Sequence, residues 1–211
     1  VKEFEMALER SRAYARLAQG FWRPKDLTPI PSLKGRGSPP ASGEGPGERF
    51  EYDRLFSHRT TVLCPIYEVE YDKNRAVSQG PTLADIAGFY RAFGLEIIAH
   101  ERPDHLALEL EFLSVLSYKE VVAFRNNLLE QAEICRDAQR KFLEAHLGRW
   151  IKPFAEILMR ESQLEFYTTL ANTLKGFIES ECAVLDAHPE IVTVLPTDRE
   201  VSEVRCRAAC T

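Results

Sequence analysis

The chain has 211 residues, 45% hydrophobic and 28% charged, enough for one globular domain with a core of useful size. Lys+Arg of 27 against Asp+Glu of 32 leaves a net charge of −5, which argues against non-specific nucleic-acid binding, since that needs a concentrated basic surface. No apolar run approaches the ~20 residues of a membrane span, so stable membrane insertion is not expected. The first residues are charged, lack the apolar middle of a signal peptide and carry no twin-arginine motif, so the expectation is a soluble cytoplasmic protein. Cys64, Cys135, Cys182, Cys206 and Cys210 are odd in number and suggest no disulfide framework. Cys135 and Cys182 lie on apolar helix faces as reduced core thiols, while Cys206 and Cys210 offer too few ligands for a metal site.

In chain order, Phe4, Leu8, Ala15 and the run Leu17 to Phe21 predict a first helix of about 20 residues, assigned to 1–23. Pro24 to Arg49 follows with six Pro, five Gly and three Ser, and reads as a low-complexity, disordered insertion (24–49). The main domain is expected over 50–190. Thr60 to Tyr71 is the best strand candidate, but Pro65 interrupts it, so it reads as an extended segment packed on helices. Thr82 with Asp85 predicts the start of a helix carrying Ile86, Phe89, Tyr90 and Phe93 and stopping near Gly94. Pro103 fits the first position of the next helix, whose inner face is Leu106, Leu110, Leu113 and Leu116. Ser117 and Glu120 form a second capping box, opening a long helix with Val121, Phe124, Leu128, Cys135, Ala138 and Phe142 that stops near Gly148. A shorter helix spans Trp150 to Arg160. Ser162 and Glu165 open the last one, with Leu164, Tyr167, Ala171, Leu174, Ile178, Cys182 and Leu185 inward, ended by Pro189. Ile191 to Leu195 is a short extended piece in a tail, 191–211. The fold class expected is an all-α, single-domain bundle of about six or seven helices.

Catalytic patterns are missing. The sequence has no phosphate loop, no Gly-x-Gly-x-x-Gly and no Gly-x-Ser-x-Gly, so neither an enzyme nor a cofactor is expected. His100 and His105 are five apart with Pro103 between them, which does not make a zinc-binding helix face. The acid pairs Glu68/Glu70 and Glu109/Glu111 are two apart, point in different directions on a helix, and read as solvated acids or single ion-pair partners. The densest polar cluster is His100-Glu101-Arg102-Pro103-Asp104-His105. Placing Asp104 and His105 in a first helical turn puts a carboxylate where amide N–H groups are free and favours a neutral imidazole. Asp104 then either receives an incoming arginine or only caps the helix, with His105 filling a polar crevice.

Arg102-Pro103-Asp104-His105-Leu106, followed by Glu109-Leu110-Glu111-Phe112-Leu113, resembles the signature of the TorD/DmsD/NarJ group of redox-enzyme maturation chaperones. Ala84 to Gly94 is similar to the Tyr/Phe-rich helix before that signature. Cys64-Pro65-Ile66-Tyr67-Glu68, His146-Leu147-x-Arg149-Trp150 with Phe154, and Phe166-Tyr167 with Leu170-Ala171 match in order. The resemblance implies an all-helical cytoplasmic chaperone that binds the apo catalytic subunit of a molybdopterin oxidoreductase, often through its twin-arginine leader, and holds export back until the cofactor is inserted. On that reading the peptide-binding candidates are Asp104, as cation acceptor, His105, as hydrogen-bonding wall, and Tyr90, as aromatic surface, followed by Arg102, Glu109 and Asp85. A monomer or a domain-swapped dimer is compatible. The alternative is a helical interaction or regulatory protein of another kind using the same bundle.

Overall fold

The computed structural model describes residues 2–23, 46–57, 62–97 and 101–193. Among these, seven α-helices and one short 3-10 turn account for the regular structure. The helices are α1 (Lys2–Phe21), α2 (Pro46–Phe56), α3 (Arg75–Ala92), α4 (Leu106–Arg125), α5 (Leu129–Ala145), α6 (Leu147–Glu161) and α7 (Glu165–Leu185), with the 3-10 turn at Glu68–Tyr71 between α2 and α3. The protein is therefore an all-α bundle, and none of its described helices is long and apolar enough to cross a membrane.

Helix α4 is the axis. Its Leu106, Leu110, Leu113 and Leu116 are completely buried, and α1 runs antiparallel beside it. Small residues let the two backbones approach. The Ser11 hydroxyl donates to the Ser114 carbonyl at 3.0 Å, and the Ser114 hydroxyl to the Ser11 carbonyl at 2.9 Å. Next to Ser11, the buried Arg10 donates from Nε to Glu181 (2.8 Å), from Nη1 to Glu120 (3.2 Å) and from Nη2 to the Gln139 side-chain oxygen (2.6 Å). This network joins α1, α4, α5 and α7. A buried charge network adds little net stability, but it penalises every register of α1 that leaves Glu120 and Glu181 unpaired.

The structure moves several expected boundaries. Helix α2 begins at Pro46, inside the stretch read as low-complexity, while residues 24–45 lie outside the described residues. Helix α3 starts at Arg75, so Thr82 sits in mid-helix and no Thr82–Asp85 cap forms. Only Ile86 and Tyr90 of α3 are fully buried, so its first half has no apolar stripe to be read. Pro103 precedes α4 rather than opening it; the N-cap is His105, in extended conformation. Ser117 and Glu120 are interior to α4: the Ser117 hydroxyl lies 2.9 Å from the Leu113 carbonyl, and Glu120 holds Arg10. The chain breaks instead at Asn126–Leu128, where Asn127 has φ of 57°. Asparagine tolerates that left-handed conformation, which most side chains avoid.

Gly148 does not stop a helix. It lies in the first turn of α6, where an added Cβ would come within 2.5 Å of the Leu143 carbonyl and 2.9 Å of Pro189. Its role is close approach. Ser162 caps no helix start; α7 has Leu164 at its N-cap, and the Leu164 N–H donates to the Ser162 hydroxyl at 3.1 Å. Helix α7 ends at Leu185 on a left-handed Asp186, before Pro189 is reached. Cys64 and Cys135 are buried and Cys182 is half-buried; Cys206 and Cys210 lie outside the described residues.

Candidate functional site

The site is assembled where the 3-10 segment meets the start of α4. Residues 66–68 run antiparallel to 104–106, with the Leu106 N–H donating to the Ile66 carbonyl and the Glu68 N–H to the Asp104 carbonyl, both at 3.0 Å. This short pairing, centred on a Tyr67–His105 bridge, holds Asp104 and His105 in extended backbone and delays the helix to Leu106. The His105 ring then caps α4: Nδ1 accepts the Ala107 N–H at 3.1 Å. A cap of this kind requires an unprotonated Nδ1. Burial enforces that state, pushing the His105 pKa down from 6.5 to about 4. The Trp22 indole stacks on the ring at 5.1 Å, and Tyr67 meets it edge-on.

Asp104 is completely buried and already holds a guanidinium. Both of its oxygens accept from Arg102, at 3.0 and 2.7 Å, and one also accepts the Val69 N–H at 3.2 Å. Burial pushes its carboxyl up, against the pull of Arg102 and the Val69 amide. Arg102 lies 4.5 Å over the Tyr67 ring, and Tyr67 donates to Glu101 at 2.8 Å. The Tyr90 hydroxyl donates to the Pro103 carbonyl at 2.8 Å, and its ring packs on Phe112.

The acids of the Glu-Leu-Glu sequence are not solvated. Two residues apart on α4, they point to opposite neighbours, and each takes one of the two tryptophans. Glu111 accepts the Trp22 indole N–H at 2.7 Å, and Glu109 accepts that of Trp150 at 3.3 Å. Glu109 is completely buried, and no donor reaches its other oxygen. Burial first, then the neighbouring Glu68 and Asp104, drive its carboxyl well above the usual carboxylate range. Glu68 is also buried. It faces His146 Nδ1 at 3.2 Å, while His146 Nε2 meets Asp85 at 3.0 Å. Asp85, its side chain 64% exposed, is the outer end of this chain of contacts.

Five of the six candidates, Asp104, His105, Tyr90, Arg102 and Glu109, therefore belong to one contiguous cluster, and Asp85 joins it through His146 and Glu68. The cluster is mostly inward. Asp104, His105, Tyr90 and Glu109 are buried against internal partners, whereas Asp85 and the outer part of Arg102 reach solvent. Sequence reasoning passed over Trp22, Glu68 and His146 as site residues. A signal for Trp22 was available in Glu111, an acid on a core helix that needs a donor. No group of three metal-binding side chains occurs among the described residues.

The fold and the cluster define a class of protein: a helical bundle whose Pro-Asp-His segment is buttressed from inside by acids, two tryptophans and a bridging histidine. The chain belongs to the nitrate reductase delta subunit family, whose model matches residues 48–156, about half the chain and every one of the six candidates. This is the NarJ/TorD family to which the motifs pointed. The chain is 34% identical over 110 residues to the chlorate reductase assembly chaperone protein of Ideonella dechloratans, covering 51% of this chain and 55% of that one. It is 32% identical over 136 residues to the perchlorate reductase assembly chaperone protein of Dechloromonas aromatica, covering 63% and 60%. The chaperone protein TorD of Vibrio parahaemolyticus is 32% identical over 98 residues, covering 44% and 43%. The matching stretch thus spans a little over half the length of the first two relatives.

Proposed function

We propose that the protein is a dedicated assembly chaperone that binds the cofactor-free catalytic subunit of a molybdopterin oxidoreductase and releases it after cofactor insertion. The observation that supports this best is that all six signature-region residues fall in one connected cluster within the stretch matched by the family. Several relatives bear the name assembly chaperone, each for a different reductase or dehydrogenase. On this reading the protein is not an enzyme and works in the cytoplasm, where the client is assembled.

The binding face is the outer side of the cluster. Arg102, Tyr67, Glu101 and Asp85 present cationic, aromatic and acidic groups to a client segment such as a twin-arginine leader. Asp104, His105, Tyr90 and Glu109 position that face from below. Asp104 fixes Arg102, His105 caps α4, Tyr90 ties α3 to Pro103, and Glu109 braces Trp150. The test is affinity purification of the tagged full chain from anaerobically grown host cells, with mass spectrometry. One molybdopterin oxidoreductase catalytic subunit should be enriched, and lost with Asp85→Lys/Glu101→Lys while the melting temperature is unchanged. Recovery of no such enzyme where it is expressed would favour a regulatory bundle. Full recovery with the double variant would place the binding face elsewhere.

A further inference from the structure

A cleft of about 250 Å³ lies beside the signature cluster, between the 3-10 turn, the start of α3, the start of α6 and the extended residues 190–193. Glu68 and Trp150 form part of its wall, yet none of the six signature candidates lines it. Residues 190–193 are led there by two local features. Gly148 leaves room for Pro189 against the start of α6, and the Val192 N–H donates to the Arg149 carbonyl at 3.0 Å.

The charged groups of this cleft are unequally engaged. Of its acids, Glu68 is turned to His146, and Asp72 accepts the Asn74 N–H at 2.8 Å. Arg149 is half-buried and faces the Asp72 carboxylate, which its charge helps to hold below the usual range, but it makes no ion pair within 4.0 Å among the described residues and gives one hydrogen bond, at 3.4 Å, to the Ala145 carbonyl. Four of its five N–H donors are left for another partner. Lys73, also lining the cleft, makes no ion pair among the described residues either, and the Thr82 hydroxyl and Asn74 amide add neutral donors at the rim. The planar guanidinium fork of Arg149 is suited to carboxylate or phosphate oxygens. Glu190, on the extended segment, limits how much negative charge the cleft takes, which suits one anionic group rather than a polyanion.

We infer that this cleft is a binding site for an anionic group, a carboxylate or a phosphate, held by Arg149 and Lys73. The inference stands on the cleft alone and does not require the chaperone reading. The test is isothermal titration calorimetry of the full chain at low ionic strength with two probes, inorganic phosphate and glutarate. At least one should bind with one-to-one stoichiometry. Arg149→Gln should weaken it by about tenfold or more, the usual effect of losing a charge-assisted hydrogen bond. Arg149→Lys should fall between, and Arg12→Gln, an exposed arginine of α1 that pairs with Glu9, should change nothing. Binding of phosphate alone assigns a phosphate-bearing ligand, binding of glutarate alone a carboxylate-bearing one, and binding of both a site for either. Absence of binding by both probes at 10 mM, or binding that survives Arg149→Gln in a protein that melts like the parent, would overturn the assignment.

Discussion

Replacing Glu109 by glutamine isolates the most unusual group in the protein. Its carboxyl is completely buried, accepts the Trp150 indole N–H with one oxygen, receives no donor at the other, and faces the Glu68 carboxylate, with Asp104 also near. Its pKa is raised in the folded chain, so the folded state holds a proton that the unfolded state gives up near pH 4.5. The contribution of Glu109 to stability is full below about pH 4.5 and falls as pH rises toward the folded pKa. The limiting slope is about 1.4 kcal/mol per pH unit over the range in which the folded carboxyl stays protonated and the unfolded one does not. Glutamine keeps an oxygen for Trp150 and an N–H toward Glu68 but does not titrate. One amide hydrogen without a partner adds a constant penalty of about 1–2 kcal/mol. The difference between Glu109→Gln and the parent must therefore shift in the variant's favour as pH rises, whatever its sign at pH 5. Urea unfolding of both proteins at pH 5, 6 and 7 measures it, and the titrating groups remote from Glu109 cancel in the comparison. A difference that stays constant over this range would mean that Glu109 is ionised in the fold, and the buried-acid argument would fail.

Other expected outcomes follow from the same cluster and its surroundings. His105, held down to about 4 from 6.5, favours the folded state above pH 6.5 and loses that contribution as pH falls toward 4, by about 3 kcal/mol in all; His105→Asn, which still caps, should flatten the acid limb of the melting curve. Arg102→Ala leaves the buried Asp104 without its guanidinium and should cost about 2–3 kcal/mol in urea unfolding, much of it recovered in Arg102→Ala/Asp104→Asn. Arg10→Ala strips the buried Glu181 of its guanidinium and leaves Glu120 to Arg136 and Gln139; it should cost about 3–5 kcal/mol, with α1 amides losing hydrogen-exchange protection first. Gly148→Ala forces the Leu143 carbonyl or Pro189 to move and should lower stability by about 1–3 kcal/mol in thermal melts.

The helical class and the inner faces of α4 and α7 were legible because each carries a sustained apolar stripe, such as Leu106-Leu110-Leu113 in α4, whereas in α1 Leu17 and Phe21 are buried as expected but Phe4, Leu8 and Ala15 only partly, and its inner face includes the polar Arg10, Ser11 and Tyr14. The first half of α3 buries little and had no stripe to read. Capping boxes misled at Ser117 and Glu120, because a serine and a glutamate three apart also occur inside a helix when a neighbour supplies Arg10 and Gln139. The cluster was legible as a motif but not in its orientation. An aspartate, a histidine and a glutamate close in sequence look like surface chemistry, and what turned them inward was distant: Trp22, Val69, Trp150 and the pairing of residues 66–68 with 104–106. Such long-range partners leave no local periodicity. Asp104 was expected to await an arginine, and it is satisfied by one two residues away.

The central claim is that the protein serves the maturation of a molybdopterin oxidoreductase. The most direct measurement is the molybdenum content of that enzyme's catalytic subunit, purified from host cells with and without this chain. The account predicts a subunit that is made but largely lacks metal when the chain is absent, with loading restored by the parent sequence and not by Asp85→Lys/Glu101→Lys. A fully loaded subunit in cells lacking the chain would contradict it.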